Sequence, residues 1–227
     1  MIDNNISVLT REALIRERRL KRLRKKRRRQ IISLLFICLT CIITLKIIDV
    51  VGNSDNNIDI SEDLNSNSIP LFLQYDKRWG KLKYGEDTIA KEGCGPTCLA
   101  MVVVGLTRDE NINPKVVADF SKDNGYYAGE DGTKWSLMTE GASHYGVNGY
   151  EIPLDKDMII NELEAGNPVI CSMGPGEFTN KGHFIVLKAY KDGKFEVNDP
   201  NSSKRSKKLW KYEDISNQIR GIWAFSL

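Results

Sequence analysis

Histidine is scarce in this 227-residue chain, which has only His144 and His183. Neither sits in a cluster of Cys and His residues, so no zinc set can be read from the sequence. There is no phosphate-cradling Gly-rich loop, no dinucleotide fingerprint and no internal repeat, which argues against nucleotide chemistry and repeat architectures. Cysteine is sparse too, with five in all. Cys38 and Cys41 lie in an apolar run, where cysteine acts as a small apolar residue. Cys94, Cys98 and Cys171 are odd in number. Cys94 and Cys98 lack Cys-x-x-Cys spacing, so the three form no obvious disulfide framework and no redox or zinc pair. Cys98 reads as buried in a helix. Cys171, in the run Pro168-Val169-Ile170-Cys171, reads as part of a core strand.

Charge is unevenly spread. Residues 1–30 carry twelve Lys or Arg against three Asp or Glu, about +9, and a whole-chain net of +3 leaves the remainder at about −6. A basic tail thus joins a mildly acidic body, and no nucleic-acid partner is expected of the whole. The basic run ends before Ile31, and Ile31 to Leu45 carries no charge. About eighteen helical residues at ~1.5 Å each span ~27 Å, close to the thickness of a hydrocarbon core. Lys46 can snorkel to the headgroups at the outer end. The expected organisation is a basic cytoplasmic tail at 1–30 and a single-pass transmembrane signal anchor at 31–51. A flexible polar linker at 52–68 and a folded domain at 69–227 follow. Cationic flanks stay on the cytoplasmic side, so the domain is expected outside the cell membrane. A buried helix and a cleaved signal peptide are the alternatives. The arginine block weighs against the first, and the lack of a small-x-small site weighs against the second. The arginines could also touch RNA or anionic lipid, but their ordinary role is topogenic.

Within the domain, Gly93-Cys94-Gly95-Pro96-Thr97-Cys98 looks like a thiol at the mouth of a helix. Pro96 fits the first helical position, and the apolar run from Cys98 reads as a buried helix ending near Gly105. Cys94 would then face unpaired N–H groups and the positive end of the dipole, a setting that favours a thiolate. Gly182-His183-Phe184 offers a base at the start of a strand, and Val197-Asn198-Asp199-Pro200 offers a carboxylate. Nucleophile, base and orienting group suggest covalent thiol catalysis.

Punctuation gives the element pattern. Asn113-Pro114 starts a helix that closes at Gly125. Thr133 can cap a second through Trp135, Leu137 and Met138 to Gly146, and Asp155 or Asp157 a third to Gly166. Strands follow at Pro168–Met173, Phe184–Tyr190, Lys194–Asn198 and from Ile222 onward, with Asp192-Gly193 as a hairpin turn. Helices first and antiparallel strands afterwards predict an α+β domain. In a strict two-residue hairpin Val186, not His183, would oppose Asp199. His144 reads as a cap partner for a helix end and Trp135 as core. The stretches Met173–Gly176 and Asn180–Gly182 read either as a mobile loop over a cleft or as ordinary connections.

The Cys94, His183 and Asp199 segments, with Ile69-Pro70-Leu71-Phe72-Leu73-Gln74-Tyr75-Asp76 and Trp79-Gly80, resemble the C39-like branch of the papain-like cysteine peptidases. The resemblance runs from about Ile69 onward. It implies a C39-like peptidase domain with a papain-like fold, in which a helical half with the nucleophile helix packs on an antiparallel sheet. It also implies Cys94 as nucleophile, His183 as base and acid, Asp199 as orienter, Gln74 as a helper in the oxyanion hole, and no cofactor. Together with the anchor, the expectation is a membrane-anchored extracellular cysteine peptidase hydrolysing a peptide or amide bond in the cell envelope. The alternatives are a papain-like acyltransferase, a peptidoglycan amide hydrolase, and a catalytically silent peptide-binding module. Nothing in the sequence resembles an ATPase or a six-helix transporter, so leader removal during export is less expected.

Overall fold

The computed structural model describes residues 58–64, 68–129 and 132–227, together with Lys25, Arg28 and Thr40. Apart from those three residues, the expected tail and the expected membrane anchor lie outside the described residues, as does most of the expected linker. Among the described residues no helix is long and apolar enough to cross a membrane.

After a 3₁₀ turn at Ser61–Leu64, the described residues form the short strands β1 (Lys83–Tyr84) and β2 (Asp87–Thr88). Helices α1 (Ile89–Glu92), α2 (Cys94–Thr107), α3 (Pro114–Asp123) and α4 (Glu140–Ser143) follow, then β3 (Asn148–Glu151) and α5 (Lys156–Glu164). The second half holds β4 (Val169–Met173), β5 (His183–Lys191), β6 (Lys194–Asn198), α6 (Ser203–Ser206), β7 (Leu209–Trp210), α7 (Tyr212–Ile215) and β8 (Ile219–Ser226). Six strands form one sheet in the order β3-β8-β4-β5-β6-β7. Every pairing in it is antiparallel. The predicted α+β class and antiparallel sheet are present.

Local chemistry accounts for most boundaries. Asn113 caps α3, its Oδ1 accepting from the Lys115 and Val116 N–H groups at 3.0 and 3.2 Å. Asp155 caps α5 by accepting from the Met158 N–H at 2.9 Å. Asp192 and Gly193 both have positive φ, 51° and 77°, as a tight hairpin of the I′ type requires. The expected helix from Thr133 is instead a 3₁₀ turn at Trp135–Met138 followed by the short α4. Thr133 does not cap it, because its hydroxyl is engaged with the Tyr84 hydroxyl at 2.9 Å. The sequence reading also missed β3, whose Asn, Gly, Tyr and Glu lack an apolar alternation. It is an edge strand paired only with β8.

The sheet is covered on both faces. Ile170, Phe184, Val186, Trp223 and Phe225 pack against α2, α3 and the elements before the sheet. Val169, Cys171, Ile185, Leu187, Ile222 and Ala224 face the other way, toward Ile159 of α5 and Ile215 of α7. That is why β4 and β5 read as continuous apolar runs. The segment expected to be linker contributes as well. Ile60 is fully buried in the first core, and Ile58 and Leu64 pack against it. Arg78 Nη1 bonds the Asp59 carbonyl at 3.0 Å and Asp63 at 2.7 Å, which ties this stretch to the domain.

Candidate active site

Cys94 is the first residue of α2 and is half-buried. The helix begins two residues earlier than Pro96 suggested. A proline anywhere in the first turn sacrifices no intrahelical hydrogen bond, so it does not mark the start uniquely. Gly93 joins α1 to α2, donating to the Ile89 carbonyl at 2.9 Å while its own carbonyl accepts from Thr97 at 3.0 Å. Gly95 lies against Thr133, and a Cβ there would stand 2.7 Å from Thr133 Oγ1. The helix also outlasts Gly105, running to Thr107. Gly105 is not a stop but a close-approach site: a Cβ would come 2.2 Å from Ile69 Cδ1.

His183 opens β5 and Asp199 immediately follows β6. The imidazole Nε2 meets Asp199 Oδ1 at 2.9 Å, with His183 6% exposed and Asp199 fully buried. The hairpin between them carries a β-bulge. It starts in strict register, Lys191 opposite Lys194, and then shifts between Leu187 and Ala189, so Val186 pairs with Asn198. His183 and Asp199 lie beyond that last pair, at the same end of the hairpin, and meet there through their side chains.

With Nε2 on Asp199, Nδ1 is the ring atom left for Cys94. Cys94 is among the groups that act on His183. Burial alone would push the imidazole pKa down. The hydrogen bonds to Asp199 and Cys94 and their charges outweigh it and raise it to about 9. Burial would likewise raise Asp199. The hydrogen bond and charge of His183 outweigh it, followed by hydrogen bonds from Arg205 and the Asn201 N–H, and leave the carboxyl below its ordinary value.

Gln74 is 2% exposed and bridges the two halves of the site. Its backbone N–H donates to the Pro200 carbonyl at 2.8 Å, and its Nε2 donates to the Ala90 carbonyl of α1 at 2.7 Å. The Ala90 carbonyl fixes which end of the amide is nitrogen. Oε1 is buried without a hydrogen-bond partner among the described residues. The segment from Ile69 to Gln74 is a strap, because Asn198 Nδ2 also holds the Ile69 and Pro70 carbonyls at 3.1 and 2.9 Å. Asn198 in this role was not expected. Nor was Arg205, whose Nε bonds Asp199 Oδ2, or Ser206, whose Oγ accepts from the Asp199 N–H at 2.8 Å. The only sequence signal for Arg205 and Ser206 was the polar cluster after Pro200.

The remaining candidates lie apart from this chemistry. His144 does not cap with its side chain; its ring stacks on Phe120 at 4.2 Å. Cys98 and Cys171 are fully buried, and burial pushes both thiols up, with Cys94 and Asp199 adding to the effect at Cys98. Trp135 is not core: it is 47% exposed, edge-on to Trp223 at 5.3 Å. The connection after β4 is pinned, with Gly174 donating to the Gln218 carbonyl and Glu177 to Gln218 Oε1, both at 2.7 Å. Chemically, Cys94, His183 and Asp199 supply a thiol, an imidazole and a carboxylate, the residue types of covalent thiol catalysis.

The chain is similar to several solved structures. The peptidase domain of Streptococcus ComA, a bi-functional ABC transporter involved in quorum sensing, is 20% identical, with 60% of this chain and 90% of that one covered and a TM-score of 0.45. A Bacillus anthracis protein described as a C39-like peptidase is 14% identical, with 71% and 96% covered and a TM-score of 0.41. A double glycine motif protease from an AMS/PCAT transporter, in complex with the leader peptide, is 16% identical, with 71% and 94% covered and a TM-score of 0.41. A comparison with curated proteins returned no match. A sequence profile of the Peptidase_C39 like family matches residues 66–225, a stretch that holds every segment just described. By that match the chain belongs to the Peptidase_C39 like family.

Proposed function

We propose that this domain is an active cysteine peptidase that cleaves a peptide or amide bond through a thioester on Cys94. The observation that carries the reading is the His183 imidazole, bonded to Asp199 on one nitrogen and acted on by Cys94. In this reading the Cys94 thiolate attacks the scissile carbonyl carbon. The oxyanion receives hydrogen bonds from the Cys94 backbone N–H, which has no partner inside the helix, and from the second hydrogen of Gln74 Nε2. His183 passes its Nδ1 proton to the leaving amine, then takes a proton from water as the hydroxyl adds to the thioester carbon. Collapse expels the Cys94 thiolate and the imidazolium is restored. A peptide electrophile directed at thiols should label Cys94 in the full chain, and Cys94→Ala should abolish the adduct. An unlabelled Cys94 in folded protein would leave a silent binding module as the better description.

We also propose residues 31–51 as the anchor, 1–30 as the cytoplasmic tail and the domain as extracellular, acting on a substrate in the cell envelope. The arginine block before an uncharged apolar run supports this orientation. Protease added to intact cells should remove the domain and spare the tail. A domain fully protected in cells shown to be accessible would reverse the topology. Comparing envelope peptides with and without active protein would find the substrate.

A further inference from the structure

We propose that Arg205 is a positioning residue of this site, holding the second oxygen of Asp199 and sharing its charge so that His183 can release its proton to a leaving group. The inference rests on the peptidase reading above. Asp199 is fully buried and its two oxygens have divided tasks. Oδ1 accepts from His183 Nε2 at 2.9 Å and from the Asn201 N–H at 2.8 Å. Oδ2 accepts from Arg205 Nε. With both oxygens held, the carboxylate plane is kept from turning, and the imidazole bonded to it through Nε2 keeps Nδ1 free for the nucleophile of the proposed reaction.

Arg205 is itself held in place. Ser202 Oγ accepts from its N–H at 3.1 Å, and its carbonyl accepts from Trp210 Nε1 at 3.1 Å. Its guanidinium carbon stands 5.9 Å over the Phe178 ring, which leans on Trp210 at 4.6 Å. A cation built in this way does more than offset the burial of a carboxylate. Besides the two residues themselves, the titratable groups coupled to Asp199 and His183 are Cys94 and Cys98 from α2 and Arg205 from α6. Arg205 is the permanent cation among them. An unshared, buried carboxylate would grip the imidazolium and make it a poor acid toward a leaving amine. A cation on the far oxygen weakens that grip without breaking the hydrogen bond.

The chain has only two histidines, so imidazole NMR can follow His183 directly, with His144 as internal reference. No substrate is needed. Removing a neighbouring cation favours the protonated ring, so Arg205→Met should move the His183 titration upward by about 0.5 to 1 pH unit. Arg205→Gln should do the same and serves if the Met variant does not fold. Arg205→Lys keeps the charge and should leave the titration within about 0.3 unit of the parent. An unchanged or lowered titration in folded Met or Gln variants would overturn the proposal and leave Arg205 a stabiliser of the loop. So would a Lys variant that shifts as far as Met. Labelling of Cys94 by the peptide electrophile in the parent protein is read separately, so failure of the peptidase reading remains distinguishable from failure of this one.

Discussion

Cys94 and Cys98 lie four residues apart on one helix in opposite surroundings. Cys94 is half-buried in the first turn, and Cys98 is fully buried. Iodoacetamide at neutral pH should therefore modify Cys94 far faster than Cys98 or Cys171, read by mass spectrometry of the folded domain. Equal labelling of all three would contradict the site. If Cys94 and His183 act as the catalytic unit proposed above, Cys94→Ala and His183→Ala should each remove nearly all turnover, and the double variant should lose little more. Asp199→Ala should retain measurable turnover and Asp199→Asn more. Gln74→Ala should cost ~10²-fold in turnover if its amide serves the oxyanion. His183 also sets a stability signature. Its pKa is raised from 6.5 to about 9, so the fold favours the protonated ring. That stabilisation is fully present below pH 6.5 and is lost as the pH rises through about 9. Melting temperature should fall across that window in the parent, and His183→Ala should flatten the fall. Cys94, His183 and Asp199 were legible because their segments carry strong local grammar. Arg205 was not: a lysine- and serine-rich stretch looks like a solvated turn, and only its return over Asp199 gives one of its cations a partner.

Among the elements, the β5–β6 hairpin shows where sequence reasoning stops. The Asp192-Gly193 turn and both strands were legible, since turn chemistry is local. The bulge at Lys188 was not, because β5 is apolar on both faces through Phe184, Ile185, Val186 and Leu187, and alternation carries no register information there. One clue existed. Strict register would set Val197 beside Lys188, whereas the bulge pairs it with Leu187 in the second core. The nucleophile helix offers a sharper test. A Cβ at Gly95 would meet Thr133 Oγ1 at 2.7 Å and Thr133 Cβ at 2.8 Å. Gly95→Ala should destabilise the domain by about 1–3 kcal/mol, as overpacking does, through a displaced Thr133 and a lost contact to Tyr84. Thermal unfolding measures the loss. An unchanged melting temperature would mean that Thr133 yields freely.

Across the whole domain, the two apolar cores and the α+β order follow from where helical and strand periodicities fall. The docking of residues 58–64 did not stand out, because Ile58, Ile60 and Leu64 are diluted among Asp, Glu and Asn. The sheet order carries a further consequence. β8, the last strand in chain order, sits between β3 and β4. Until β8 arrives, β3 has no partner in the sheet and β4 keeps one row of amides and carbonyls open. A chain stopped after Gln218 should therefore be unfolded by circular dichroism. During synthesis the helix that carries Cys94 is made long before the hairpin that carries His183, and β8, which joins β3 to β4, is made last. Folding of the sheet, and with it the site proposed above, is expected to mature only once that closing strand is in place.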